Sequence, residues 1–133
     1  MPVALVERAL VGSIIDSFYA VYNYFGFGLA EVVYAGALEL ELLDRGHAVA
    51  RELAVAVAYK GRHVAWQRLD MVVDDKVIVE LKATDKLPPF AARQLINYLH
   101  ATTFQVGLVL HFGPEPVVQR YVHTRKNTAA QTG

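Results

Sequence analysis

Hydrophobic and polar positions along the chain first follow a helical period, then a strand period, then alternate between the two. From Pro2 to about Tyr24, the residues Leu5, Ala9, Ile14, Phe18 and Val21 or Tyr22 recur at spacings of three to five. That spacing predicts a long amphipathic helix. Gly26-Phe27-Gly28 breaks it, and a second helix is predicted from about Leu29 to Arg45 with Leu29, Val33, Ala37 and Leu40 as its apolar stripe. Arg45 suits the last turn, and Gly46 suits the left-handed position that follows. Glu52 to Tyr59 then reads as a strand, Lys60-Gly61-Arg62 as a turn and Val64 to Val73 as a second strand. Asp74-Asp75-Lys76 turns again, and Val77 to Ala83 forms a third strand dense in β-branched residues. Pro88-Pro89 opens a helix that ends near Ala101, because proline fits a first helical turn. Gln105 to Phe112 is nearly continuous apolar sequence, the pattern of a strand buried on both faces, and Val117 to His123 reads as an edge strand. The order ααβββαβ(β) predicts an α/β (α+β) sandwich with the sheet between helices. Residues 1–123 form one domain in this reading, and 124–133 form a flexible tail.

The central hairpin carries the chemistry. In Val77-Ile78-Val79-Glu80-Leu81-Lys82, alternation puts Glu80 and Lys82 on one face with Ile78. A two-residue turn at Asp74-Asp75 would set Asp70 against Val79 and mix polar with apolar partners throughout. A three-residue loop, Asp74-Asp75-Lys76, pairs Val73 with Val77, Met71 with Val79, Val72 with Ile78 and Asp70 with Glu80. The second register sorts every side chain and is preferred. Two carboxylates set opposite each other, with Cβ atoms roughly 4.5–5.5 Å apart, repel unless something neutralises them. A divalent cation does so, and Asp and Glu oxygens are the ligands that Mg²⁺ (or Mn²⁺) takes. Lys82 beside them suits a phosphate oxygen or an attacking water. An isolated Glu-x-Lys on a strand is a common surface pattern; Asp70 in register is what makes this one point to metal-assisted phosphodiester hydrolysis.

Composition narrows the alternatives. With 54% hydrophobic residues and no net charge, the chain of 133 residues is not globally disordered. It has no cysteine, hence no disulfide, zinc–thiolate site or thiol nucleophile. Balanced charge argues against coating nucleic acid by bulk electrostatics, although a local patch remains open. The balance is uneven along the chain: residues 1–60 sum to −3 (4 basic, 7 acidic) and residues 61–133 to +3 (9 basic, 6 acidic). An anionic partner therefore belongs nearer the second half. Glu7, Arg8 and Asp16 interrupt the first apolar stretch, so neither a signal peptide nor a membrane span fits, and a cytoplasmic location is expected.

Other motifs carry less. The five histidines show no ligand spacing and read as surface or turn residues. Gly26-x-Gly28 lacks the context of a dinucleotide site, and Ser13 and Ser17 sit in a helix without a nucleophile elbow. The aromatic run from Phe18 to Phe27 reads as core or dimer packing, and with the high apolar content it is compatible with a homodimer. Trp66 reads as half-exposed core or a protein contact.

Asp70 followed by Glu80-Leu81-Lys82 resembles the signature of the PD-(D/E)XK nuclease superfamily, and Gln94-Leu95-Ile96-Asn97-Tyr98 resembles the Gln-x-x-x-Tyr motif of its RecB-like branch. More narrowly, the chain resembles the small GxxExxR proteins over roughly residues 5–123. Gly28 and Glu31 match that family's glycine and glutamate, while its arginine position holds Tyr34. The resemblance implies a restriction-endonuclease-like core, a mixed central β-sheet flanked by α-helices, and a nucleic-acid substrate, DNA rather than RNA. It implies Glu31 as a further acid from the helix before the sheet, the Leu81 carbonyl as a further metal ligand, and Gln94 as support for Lys82 or the water. From position alone, Glu31 is equally a first-turn glutamate well placed in the helix dipole. Asp70, Glu80, Leu81 and Glu31 are thus the candidate metal ligands, and Lys82 and Gln94 complete the candidate catalytic set. The competing reading is a non-catalytic nucleic-acid-binding or protein-interaction module that keeps the fold. Zero net charge and short loops favour it; the retained acid–acid–lysine set opposes it.

Overall fold

The computed structural model describes residues 7–124. The residues Pro2–Val6 assigned to the first helix, and all but Thr124 of the tail expected to be flexible, lie outside the described residues. The elements run α1 (Arg8–Phe25), α2 (Glu31–Asp44), β1 (Val49–Tyr59), β2 (Arg62–Val73), β3 (Val77–Lys82), α3 (Phe90–Ala101), β4 (Val106–Phe112) and β5 (Pro116–Val122). This is the expected order, with β5 at an edge. Glu7, at φ 51, is left-handed and marks the start of α1 at Arg8. Among the described residues no helix is long and apolar enough to cross a membrane.

The strands form one mixed sheet in the order β1-β2-β3-β4-β5. Only β3 and β4 are parallel, and α3 is their crossover. On one face, α1 and α2 pack through Ile14, Phe18, Tyr34, Leu38 and Leu42 onto Val77, Val79, Leu81, Leu108 and Leu110. On the other, α3 packs through Ala91, Leu95, Tyr98 and Leu99 onto Leu69, Val72, Ile78 and Val109. β4 is buried along its whole length, as its apolar run requires. Gly107 lets α3 come close: a Cβ there would meet Leu95 Cδ1 at 2.5 Å.

Three expectations about faces are corrected. α2 buries Tyr34, Ala35, Leu38 and Leu42, while Val33 and Leu40 of the expected stripe are exposed. The helix is apolar on two sides, and only one meets the sheet. In α1, Ala9 is exposed and Val11 and Ser17 are buried instead. His111 is buried at 4%, not superficial, because it lies within the fully covered β4.

His47 is likewise no free surface group. Its Nε2 lies 2.7 Å from Ser13 Oγ and its Nδ1 lies 2.7 Å from Asp74 Oδ2. Asp74 also accepts from the Ala48 N–H at 2.8 Å. The order Ser–His–Asp is that of a hydrolase relay. Ser13, however, is mid-helix, where the neighbouring N–H groups are used by the helix and cannot hold an oxyanion. The relay instead clasps α1, the end of α2 and the β2–β3 turn together.

Burial raises the Asp74 pKa, but the Ala48 amide and the His47 ring outweigh it and hold the carboxyl below its usual 3.8. Stability from Asp74 is therefore present above pH 3.8 and lost as pH falls below it. Asp74→Asn, which tolerates the left-handed backbone, should cost about 0.5–1.5 kcal/mol near pH 7. Urea unfolding at a series of pH values should show that gap closing in acid; a gap of constant size would contradict the assignment.

Candidate metal and nuclease site

The β2–β3 ladder has the register expected from a three-residue loop: Val73 faces Val77, Val72 faces Ile78 and Met71 faces Val79. There it stops. Glu52 on β1, at φ 53, sits opposite Asp70, and neither joins the β1–β2 pairing. Across this irregularity the alternation slips by one residue. Ala50 and Val72 pack towards α3 on one side of it, and Leu53, Val55 and Leu69 pack towards α3 on the other. Asp70 is thereby turned out of the face it would have shared with Val72. Its Oδ2 accepts the Leu81 N–H at 3.0 Å, taking a hydrogen bond that the ladder no longer supplies.

Glu80 follows on β3 and is only 3% exposed. Its pKa is pushed up to about 8, by burial first and then by the Asp70 carboxyl beside it; Lys82 acts in the opposite sense and is outweighed. Glu80 Oε1 is buried with no hydrogen-bond partner. Lys82 is half-buried at the end of β3. It is fixed from behind, since β3 pairs Lys82 with His111 on β4. The His111 Nε2–H meets the Thr84 carbonyl at 2.8 Å and Thr84 Oγ1 at 3.0 Å, tying down the segment that leaves Lys82.

Glu31, at the start of α2, is exposed but lines a small recess with Ala35, Asp70 and Leu81. Its pKa is raised by partial desolvation and then by Asp70, and drawn down by Lys82. The loop before it is set by Tyr34. That hydroxyl donates to the Gly26 carbonyl at 2.5 Å and accepts from the Leu29 N–H at 3.2 Å, while its ring stacks on Phe112 at 4.2 Å. The residue in the arginine position of GxxExxR proteins is thus a buried anchor of the α1–α2 connection.

From α3, Tyr98 reaches the same place, with Gln94 hydrogen-bonded beside it. Tyr98 belongs to the core cluster between α3 and the sheet. Burial and then the charges of Glu80 and Asp70 raise its pKa, so its hydroxyl belongs to the acid pair's surroundings. Gln67 Nε2 donates to that hydroxyl at 2.9 Å. Gln94 Oε1 is buried without a partner. Sequence reading missed Gln67 and His111. Gln67 lies three residues before Asp70, a spacing that matters only because the strand slips phase. For His111 the signal was available as a lone polar residue within an apolar run.

The structure therefore brings together Asp70, Glu80, Lys82 and the Leu81 backbone, with Glu31 at the rim and Gln94 beside Tyr98 on α3. Among the described residues no three His, Asp or Glu side chains form a ready-made metal cage. The donor set still fits Mg²⁺ or Mn²⁺. Such ions need only one or two carboxylates and keep several waters. A buried carboxylate oxygen without a partner, beside a second carboxyl group, lacks a cation or a proton.

A family model described as the PD-(D/E)XK nuclease superfamily matches residues 8–123. This chain belongs to that superfamily. No curated protein matches it. The crystal structure of SSO0001 is similar, with a TM-score of 0.51 and 17% identity, over 90% of this chain and 61% of that one. The chain thus spans about three-fifths of the length of that relative, and the likeness is one of fold. The mixed sheet flanked by helices is the restriction-endonuclease-like architecture.

Because the Glu80 pKa is raised from 4.5 to about 8, metal-free protein should lose stability as pH rises through that window. Glu80→Gln, which removes the titration, should abolish this loss and be more stable near pH 8 by about 1–3 kcal/mol. Unfolding in the presence of a chelator at pH 5 to 9 measures both; identical slopes in wild type and variant would contradict the burial argument.

Proposed function

We propose that this chain is a Mg²⁺- or Mn²⁺-dependent nuclease that hydrolyses phosphodiester bonds of nucleic acid, DNA rather than RNA. The observation that carries this reading is the buried, unpartnered Glu80 oxygen beside Asp70, with Lys82 on the same strand. Asp70 and Glu80 hold the cation, with the Leu81 carbonyl and Glu31 as further oxygen donors. A bound divalent cation supplies positive charge against a phosphate oxygen and makes water more acidic. Lys82 presents an ammonium group to the same phosphate or orients the water. The free Gln94 Oε1 accepts a hydrogen from that water or from the lysine. Gln94 and Tyr98, four residues apart on one face of α3, carry the likeness to the RecB-like branch.

A polyanionic substrate is supported by the β1–β2 hairpin. Both strands run well beyond β3, with 11 and 12 residues against 6. Between Glu52 and Asp70 lie Lys60, Arg62 and Arg68 and no acidic residue. The overhang is therefore a basic arm attached to the candidate site. It supplies the local patch that the neutral total conceals.

The test is cleavage of single- and double-stranded DNA and RNA with Mg²⁺ or Mn²⁺. Asp70→Ala and Lys82→Ala should each lower the rate by about 10²-fold or more. Equal activity in wild type and both variants would place any cleavage elsewhere and leave the non-catalytic module as the better reading.

A further inference from the structure

Beyond Gln94 and Tyr98, a cavity of about 450 Å³ opens between α3 and the hairpin overhang. Its origin is topological. β2 pairs with β3 only from Met71 to Val73, so no third strand fills the space beside Gln67. The wall includes Gln67, Phe90, Arg93, Gln94, Asn97 and Tyr98. On α3, Phe90, Arg93, Gln94 and Asn97 follow the i, i+3, i+4, i+7 spacing of one helix face. That face is separate from the apolar one of Ala91, Leu95 and Leu99 that meets the sheet.

The chemistry of the wall is specific. It offers three carboxamides, one guanidinium and two aromatic rings, and no carboxylate. Carboxamides present donor and acceptor together, as the edges of nucleobases do. Phe90 is 63% exposed, leaving a ring face available. A flat heterocycle bearing donors, with an anionic group attached, meets all of these demands at once. The volume lies within the range of small-ligand sites.

We propose that this cavity holds one unstacked base of the substrate strand, next to the phosphate presented to Asp70 and Glu80. Phe90 stacks on the base, Asn97 and Gln67 meet its edge, and Arg93 contacts a neighbouring phosphate. A base can enter only after leaving a duplex stack, so the substrate is single-stranded or frayed nucleic acid. This inference rests on the nuclease reading above and adds the substrate class to it.

Two measurements test it. In a chelator, without metal, binding of a short labelled single-stranded oligonucleotide is followed by fluorescence anisotropy. Phe90→Ala and Asn97→Ala should weaken it by about 5- to 100-fold, the span of one base–aromatic stack, while Phe90→Tyr should retain it. With Mg²⁺, an abasic position scanned along the strand should suppress cleavage at the bond beside it in wild type, and that sensitivity should vanish in Phe90→Ala. Thermal melting confirms that the variants are folded. If wild type binds and cleaves single strands but is indifferent to abasic positions and to these substitutions, the base pocket is overturned and the nuclease reading stands. If wild type binds no nucleic acid of any kind, both fall together.

Discussion

Two carboxyl groups meet where the β2–β3 ladder ends, and the site is organised around that meeting. Asp70 accepts the Leu81 N–H that would otherwise be left without a strand partner. Glu80 comes from the position before Leu81 and is enclosed by the sheet and α3. Burial and mutual repulsion push one of the pair towards its neutral form, which is why the Glu80 pKa rises to about 8. A domain that needed only stability would be better served by an apolar pair of the same shape. The arrangement makes chemical sense when a cation completes it, and superfamily membership points the same way.

The rest of the fold holds this junction in place from three directions. β4 lies parallel to β3 and sets His111 beside Lys82, where the imidazole pins Thr84. α3 is the crossover between those strands, so Gln94 and Tyr98 arrive on the face that Glu80 occupies. Across the sheet, Tyr34 anchors the turn before α2 and so fixes where Glu31 stands. Close packing transmits each placement. Leu95 lies directly on Gly107, so a shift of α3 would carry Gln94 with it.

Much of this was legible because it rests on periodicity. The Asp74-Asp75-Lys76 loop fixed the register of the hairpin, and Glu80-Leu81-Lys82 could be read directly. The continuous apolar run of β4 announced a central strand. What escaped depends on single backbone angles or on choices between equivalent faces. The left-handed Glu52 changes which way Asp70 points, and nothing in local alternation announces it. α2 offers two apolar faces, and only the tertiary arrangement decides that Tyr34, Leu38 and Leu42 turn inward. Gln67 joined the site for the same reason as Asp70. Its parity along β2 changed at the irregularity.

The central claim is that Asp70 and Glu80 together form a cation site. Calorimetric titration of Mn²⁺ into wild type, Asp70→Asn and Glu80→Gln tests it without requiring a substrate. The account predicts a binding event in wild type that is lost or severely weakened in both variants. Absence of Mn²⁺ binding to wild type, or undiminished binding in both variants, would contradict it.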